Sequence, residues 1–127
     1  MIEQQEKTRY SDLELQEFKV LIETKIEAAR KELDNYLSQL SEGADNPDNR
    51  VRSLDDGSGT AEIERLNNLA GRQRKHIQHL ENALIRIQNK VYGICRETGK
   101  LISKERLRAV PHATLSIEAK DTRRRVS

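Results

Sequence analysis

Ile63, Leu66, Ala70, Gln73, Ile77, Leu80, Leu84, Ile87 and Val91 recur in an unbroken alternation of three and four residues. That is the heptad rhythm of a helix with one narrow apolar seam, and it leaves the chain few folds to choose from. Gln73 is the one polar residue in the seam, where a polar group fixes register at some cost in stability. A seam this narrow has to meet another helix. The chain supplies one upstream, with Leu15, Phe18, Ile22, Ile26, Ala29, Leu33, Tyr36 or Leu37, and Leu40 in the same three-and-four steps. With charged residues at 35% and aromatic ones at 3%, the composition suits long helices better than a broad globular core.

The helix boundaries are written in local chemistry. Ser11-Asp12-Leu13-Glu14 is a capping box, a hydroxyl followed three residues later by a carboxylate, and predicts a helix from Ser11 to about Ser41. The pattern then stops. Gly43, Asn46-Pro47-Asp48-Asn49 and Asp55-Asp56-Gly57-Ser58-Gly59 supply turn residues without periodicity, so an acidic loop is expected over about 42–59. Thr60 is the expected cap of the second helix, with Glu62 and Glu64 placed well against its N-terminal dipole.

Two helices of similar length joined by a loop fold back most simply as an antiparallel coiled-coil hairpin, here over 11–91. At 1.5 Å per residue, an arm of roughly thirty residues per helix reaches on the order of 45 Å. Such a hairpin buries little, and each fully buried Leu or Ile contributes only about 1.5–3 kcal/mol. Its open ends need a base. Residues 92–120 are the candidate: Gly93, Thr98-Gly99 and Pro111 mark turns, and Ile94, Leu101, Ile102, Leu107, Val110, Leu115 and Ile117 suffice for a miniature core. The expected fold is thus mainly α, a long hairpin and a small C-terminal module, flanked by a flexible 1–10 and a basic 121–127.

The segment after the second helix has its own frame: Tyr92-Gly93, Cys95, Gly99, Ile102, Arg106-Leu107, Ala109, Pro111 and Ala113-Thr114. This frame strongly resembles the C-terminal module of the DksA/TraR family, bacterial regulators that bind RNA polymerase through its secondary channel. The likeness is specific from about Arg72 to Lys120. Family members carry a four-cysteine zinc finger at this point. Here Cys95 and Thr98 stand where the first pair belongs, and Ser116 and Ala119 where the second belongs. A structural zinc contributes an apparent ~10–16 kcal/mol in isolated finger peptides. Thr98, Ser116 and Ala119 do not replace thiolates as ligands, so no metal is expected, and the module has to hold its shape without one. His112, or His76 with His79, are the alternative ligands, but nothing pairs them with carboxylates at ligand spacing. Cys95 then reads as a small buried hydrophobe, since no His or Lys is adjacent to activate it.

The resemblance also implies roles for residues outside the finger. In the family, acidic residues at the coiled-coil tip act near the polymerase catalytic centre, usually as two aspartates three apart followed by an alanine. The second aspartate matches Asp55; the first falls on Arg52 and the alanine on Gly57, leaving Asp55 and Asp56 as the charge presented by the arm. Some members share with the polymerase a site for guanosine tetraphosphate. Arg72 and Lys120 match two of its basic positions, and His79 stands where a lysine is usual, which implies a modified response. The alternative is that Arg72 is one more solvated charge on a charged helix.

Other classes fit less well. No Ser/His/Asp or Cys/His constellation, phosphate-binding loop or metal cluster supports an enzyme, and Asp55 and Asp56 in a Gly/Ser loop lack the burial that tunes catalytic carboxylates. A single Cys cannot make an intrachain disulfide and fits a reducing compartment. No apolar run suits a signal or a membrane span, so the expected location is the cytoplasm, without membrane partners. The run Arg123-Arg124-Arg125 reads as a solvated, frayed tail, and no sequence-specific DNA binding is expected. A monomeric regulator of RNA polymerase is the leading expectation. The alternatives are an oligomerising coiled coil and a DNA-binding protein using that tail.

Overall fold

The computed structural model describes residues 8–45 and 58–126, and the side chains of 8–42 and 60–122. Four helices follow in order: α1 (Asp12–Asp45), α2 (Ser58–Gln88), α3 (Lys104–Ala109) and α4 (Ile117–Val126). α1 and α2 form a long helical hairpin. The described residues fall into two compact units, a terminal one made of those up to Lys25 and from His79 onward, and a central one of Ile26–Gln78.

The capping box forms as its sequence predicts. The Glu14 amide donates to Ser11 Oγ at 3.1 Å, and the Ser11 amide donates to Glu14 Oε1 at 3.0 Å. α1 then runs one turn past Ser41, through Gly43, and α2 begins at Ser58, so Thr60 lies inside the helix and does not cap it. The tip residues Arg52, Asp55, Asp56 and Gly57 lie outside the described residues.

In the central unit the helices meet through Ile26 and Ala29 of α1 and Leu66, Ala70 and Ile77 of α2, all buried. Gln73 does what a polar seam residue can do for register: its Nε2 donates to the Ala29 carbonyl at 3.2 Å and to Glu32 Oε2 at 3.4 Å. Leu33, Tyr36, Leu37 and Leu40 are only half-buried. Ile63, expected in the seam, is 39% exposed. A helix with one neighbour leaves the flanks of its stripe in water.

In the terminal unit the seam acquires a third layer. Leu15, Phe18 and Ile22 of α1 and Leu80, Ala83 and Ile87 of α2 join Tyr92, Cys95, Ile102, Leu107, Ala113 and Ala119 in one core. Tyr10 belongs to it as well. Residues 1–10 are expected to be flexible, yet Tyr10 is only 5% exposed and its hydroxyl donates to the Ile102 carbonyl. Its ring meets Phe18 edge-on at 5.5 Å, and Phe18 meets Tyr92 at 5.3 Å. Such aromatic pairs add about 0.5–1.5 kcal/mol each to the area they bury.

α2 ends earlier than its heptad suggests. Lys90 adopts a left-handed φ of 62°, the Val91 amide donates to the Arg86 carbonyl and the Lys90 amide to the Ile87 carbonyl, both at 3.0 Å. These two bonds are a Schellman cap with a lysine where glycine is usual. The turn puts Val91 at 47% exposure, outside the seam to which its spacing assigned it. Lys90 also pairs with Asp12 at 3.0 Å, which links the end of α2 to the start of α1.

Candidate functional site: the finger-like module

The module after α2 opens with a tight loop. Gly93 has φ 80°, and a Cβ placed there would lie 2.6 Å from Tyr10 Cε2. Only glycine combines that backbone with that approach. Ile94 and Leu101 form an antiparallel bridge. Inside it the Cys95 amide donates to the Lys100 carbonyl and the Gly99 amide to the Cys95 carbonyl, both at 2.8 Å, with Gly99 at φ 73°. Ile102 and Leu107 are fully buried, whereas Ile94, Leu101, Val110 and Leu115 are half-buried and Ile117 is exposed. The apolar core is therefore smaller than the sequence suggests.

Polar contacts close what the core leaves open. Ser103 caps α3, its Oγ accepting from the Arg106 amide at 3.2 Å. Arg106 Nε donates to the Leu115 carbonyl at 2.8 Å, Tyr92 hydroxyl to the Pro111 carbonyl at 2.8 Å, and the Arg96 amide to the Thr114 carbonyl at 3.0 Å. Burial pushes the Tyr92 hydroxyl above the ordinary phenol range, so it remains a donor. Arg86 reaches from α2 to the His112 carbonyl at 3.3 Å. At the other edge Lys104 pairs with Glu14 at 2.6 Å, joining α3 to the capping box.

The residues that stand where the resemblance places four cysteines are linked by hydrogen bonds that start at one sulfur atom. Cys95 is fully buried. Its Sγ accepts the Ser116 amide at 3.4 Å and shares a hydrogen bond with Ser116 Oγ at 3.7 Å. Ser116 Oγ in turn accepts the Ala119 amide at 3.2 Å and so caps the start of α4. Burial pushes the Cys95 thiol up, but hydrogen bonds from the Thr98 hydroxyl and from the Ser116, Thr98 and Glu97 amides outweigh it and hold the thiol at about 6. The expectation of an apolar cysteine is thus corrected in part: the side chain is buried, but its sulfur sits among donors. The lowering comes from hydrogen bonds and not from a neighbouring cation, so no adjacent His or Lys marks it in the sequence.

A four-thiolate site does not fit this donor set. Cys95 brings one sulfur, Thr98 and Ser116 bring hydroxyls, and Ala119 brings no donor atom. Among the described residues no group of three His, Cys, Asp or Glu is placed to hold a metal. The histidines considered as substitutes are arranged otherwise. His79 and His112 stack nearly parallel, ring centroids 5.5 Å apart at 11°, so their in-plane lone pairs do not converge on one ion.

The residues matched to an alarmone site are all exposed, Arg72 in the central unit and His79 and Lys120 in the terminal one. The basic run is not a separate tail, because α4 continues through Val126; the side chains of Arg123–Arg125 lie outside the described set. Sequence reading missed Tyr10, Arg86 and Arg106. For Tyr10 a signal was present. It precedes the Ser11 cap, with Leu15 five residues on, which is the spacing of a hydrophobic staple.

Comparison with known proteins bears on the same segment. Residues 90–125 match the prokaryotic dksA/traR C4-type zinc finger. The RNA polymerase-binding transcription factor DksA of Caulobacter vibrioides is 46% identical over 54 residues, 42% of this chain and 38% of that protein. The match thus spans well under half of that relative's length. DksA of Salmonella typhimurium is 28% identical over 111 residues, covering 87% of this chain and 71% of the relative. The solved structure of the transcription factor DksA2 from Pseudomonas aeruginosa superposes with a TM-score of 0.79 at 26% identity, over 87% of this chain and 83% of that one. No helix among the described residues is long and apolar enough to cross a membrane. In its long helical hairpin and in the frame of its finger-like module, the chain is thus similar to DksA-type proteins, with the family's finger matched over residues 90–125.

Proposed function

We propose that this protein is a cytoplasmic transcription regulator, not an enzyme, that binds RNA polymerase as a monomer through the secondary channel, using the α1–α2 hairpin as an arm. The observation that carries the reading is the match in fold to a DksA-type factor across 87% of the chain, hairpin and module together. In this reading Asp55 and Asp56 present negative charge near the polymerase catalytic centre. Arg52, in place of the first aspartate, alters that charge. Arg72, His79 and Lys120 are the candidate contacts to guanosine tetraphosphate, and the module carries no structural zinc.

The test is binding to purified core RNA polymerase with a Gre-type factor as competitor. Mutually exclusive binding is the expected result. No binding at micromolar protein and low salt would mean that the fold persists with a different partner. Asp55→Ala with Asp56→Ala should leave binding intact and change the effect on promoter complexes. Arg72→Ala should weaken any response to guanosine tetraphosphate.

A further inference from the structure

We infer that Cys95 is a positioning residue whose sulfur, as the hub of a hydrogen-bond network over all four finger positions, holds α4 in place of a metal. The inference rests on the zinc-free reading of the module and names the bonds that replace the zinc.

In a four-cysteine finger the metal links four corners. Here the same corners are linked through one of them. Ser116 is held to Cys95 Sγ twice, by its amide at 3.4 Å and its hydroxyl at 3.7 Å. The Thr98 hydroxyl bonds to the same sulfur from the preceding loop. Ala119 has no side-chain donor to offer, but its backbone amide bonds to Ser116 Oγ at 3.2 Å and enters the network one step removed. Sulfur is large and polarizable and takes several long hydrogen bonds at once, more fully as thiolate than as thiol. The consequence falls on one element. Ser116 is the cap of α4, so the start of that helix is set by an atom twenty-one residues upstream. Arg106, on the Leu115 carbonyl at 2.8 Å, fixes the residue before the cap from the other side. The exposed apolar Ile117 in its first turn gives α4 little packing of its own there.

The experiment is amide hydrogen exchange on the full-length protein, with metal content measured on the same samples. The expected wild type holds no stoichiometric zinc, keeps its melting temperature in chelator, and protects the Ala119 and Lys120 amides. Cys95→Ala should speed exchange at those amides about tenfold, the scale of losing a helix cap, and leave Leu80 and Ala83 in α2 unchanged. Ser116→Ala, at a half-buried position, should do the same without opening the buried sulfur site. Adding Cys95→Ala to Ser116→Ala should add little, because both cut one network. Stoichiometric zinc with a chelator-sensitive melting temperature would overturn the inference. So would unchanged exchange at Ala119 and Lys120 in both single variants, or fully additive effects in the double one. If Cys95→Ala unfolds the whole module, Ser116→Ala decides alone. Loss of polymerase binding in a protein with the expected exchange pattern would sink the functional reading and leave this one standing.

Discussion

The terminal and central units are built from the same two helices, yet they hold themselves together differently. In the terminal unit Tyr92, Ile22, Leu80, Ile102, Leu107 and Cys95 are completely enclosed. In the central unit the enclosed side chains include the small Ala29 and Ala70, a glutamine sits in the seam, and Leu33, Leu37 and Leu40 stay half in water. The heptad is equally regular in both. A repeating stripe decides which side chains turn inward, and the number of neighbouring layers decides how far they are buried. Two helices enclose only the centre of a stripe; a third layer is needed to enclose its flanks.

The widest gap between the units should appear on truncating leucines. Leu107→Ala, in the three-layered core, should cost about 3 kcal/mol, and Leu37→Ala in the two-layered seam only about 1 kcal/mol, as read by chemical denaturation. Equal costs would break the comparison. Gly93→Ala should come next, at about 2 kcal/mol, from forcing a Cβ into a left-handed backbone and against the Tyr10 ring. Pairing it with Tyr10→Ala should recover part of that loss, because the clash disappears while the backbone strain stays.

Gln73→Leu should act in the opposite direction. A leucine there should raise the melting temperature by an amount worth about 0.5–1 kcal/mol while loosening register, seen as self-association in sedimentation. A lower melting temperature would mean that the bond to the Ala29 carbonyl outweighs an apolar seam.

The smallest effect concerns acid. Hydrogen bonds from Lys90 and Arg9 hold the exposed Asp12 carboxyl below the ordinary range. A depressed folded value contributes stability above the unfolded one, near 3.8, and loses it as the pH falls further through the folded value. Asp12→Asn should flatten the acid limb of the melting curve slightly and leave neutral pH nearly unchanged. A large change at pH 7 would show that this pair does more than an exposed ion pair usually does.

Much of this was legible in the sequence because it is local. The capping box at Ser11, the α1 stripe and the α2 heptad each depend on residues within a turn or two of one another, and they formed as spacing and hydrogen-bonding chemistry require, except at the heptad's two ends, Ile63 and Val91. The module's frame was legible too, as was its lack of three thiolates. What only the tertiary structure decided involves partners distant in the chain. Tyr10 is in the core because Ile102 and Gly93 receive it, from more than eighty residues away. Val91 left the seam because the Lys90 cap turned the chain. Cys95 became a hydrogen-bonded hub because Ser116 was brought to it. Periodicity fixes which face of a helix is apolar, since that needs only the helix's own geometry; what covers the face, and what surrounds a lone sulfur, depends on where the rest of the chain folds back.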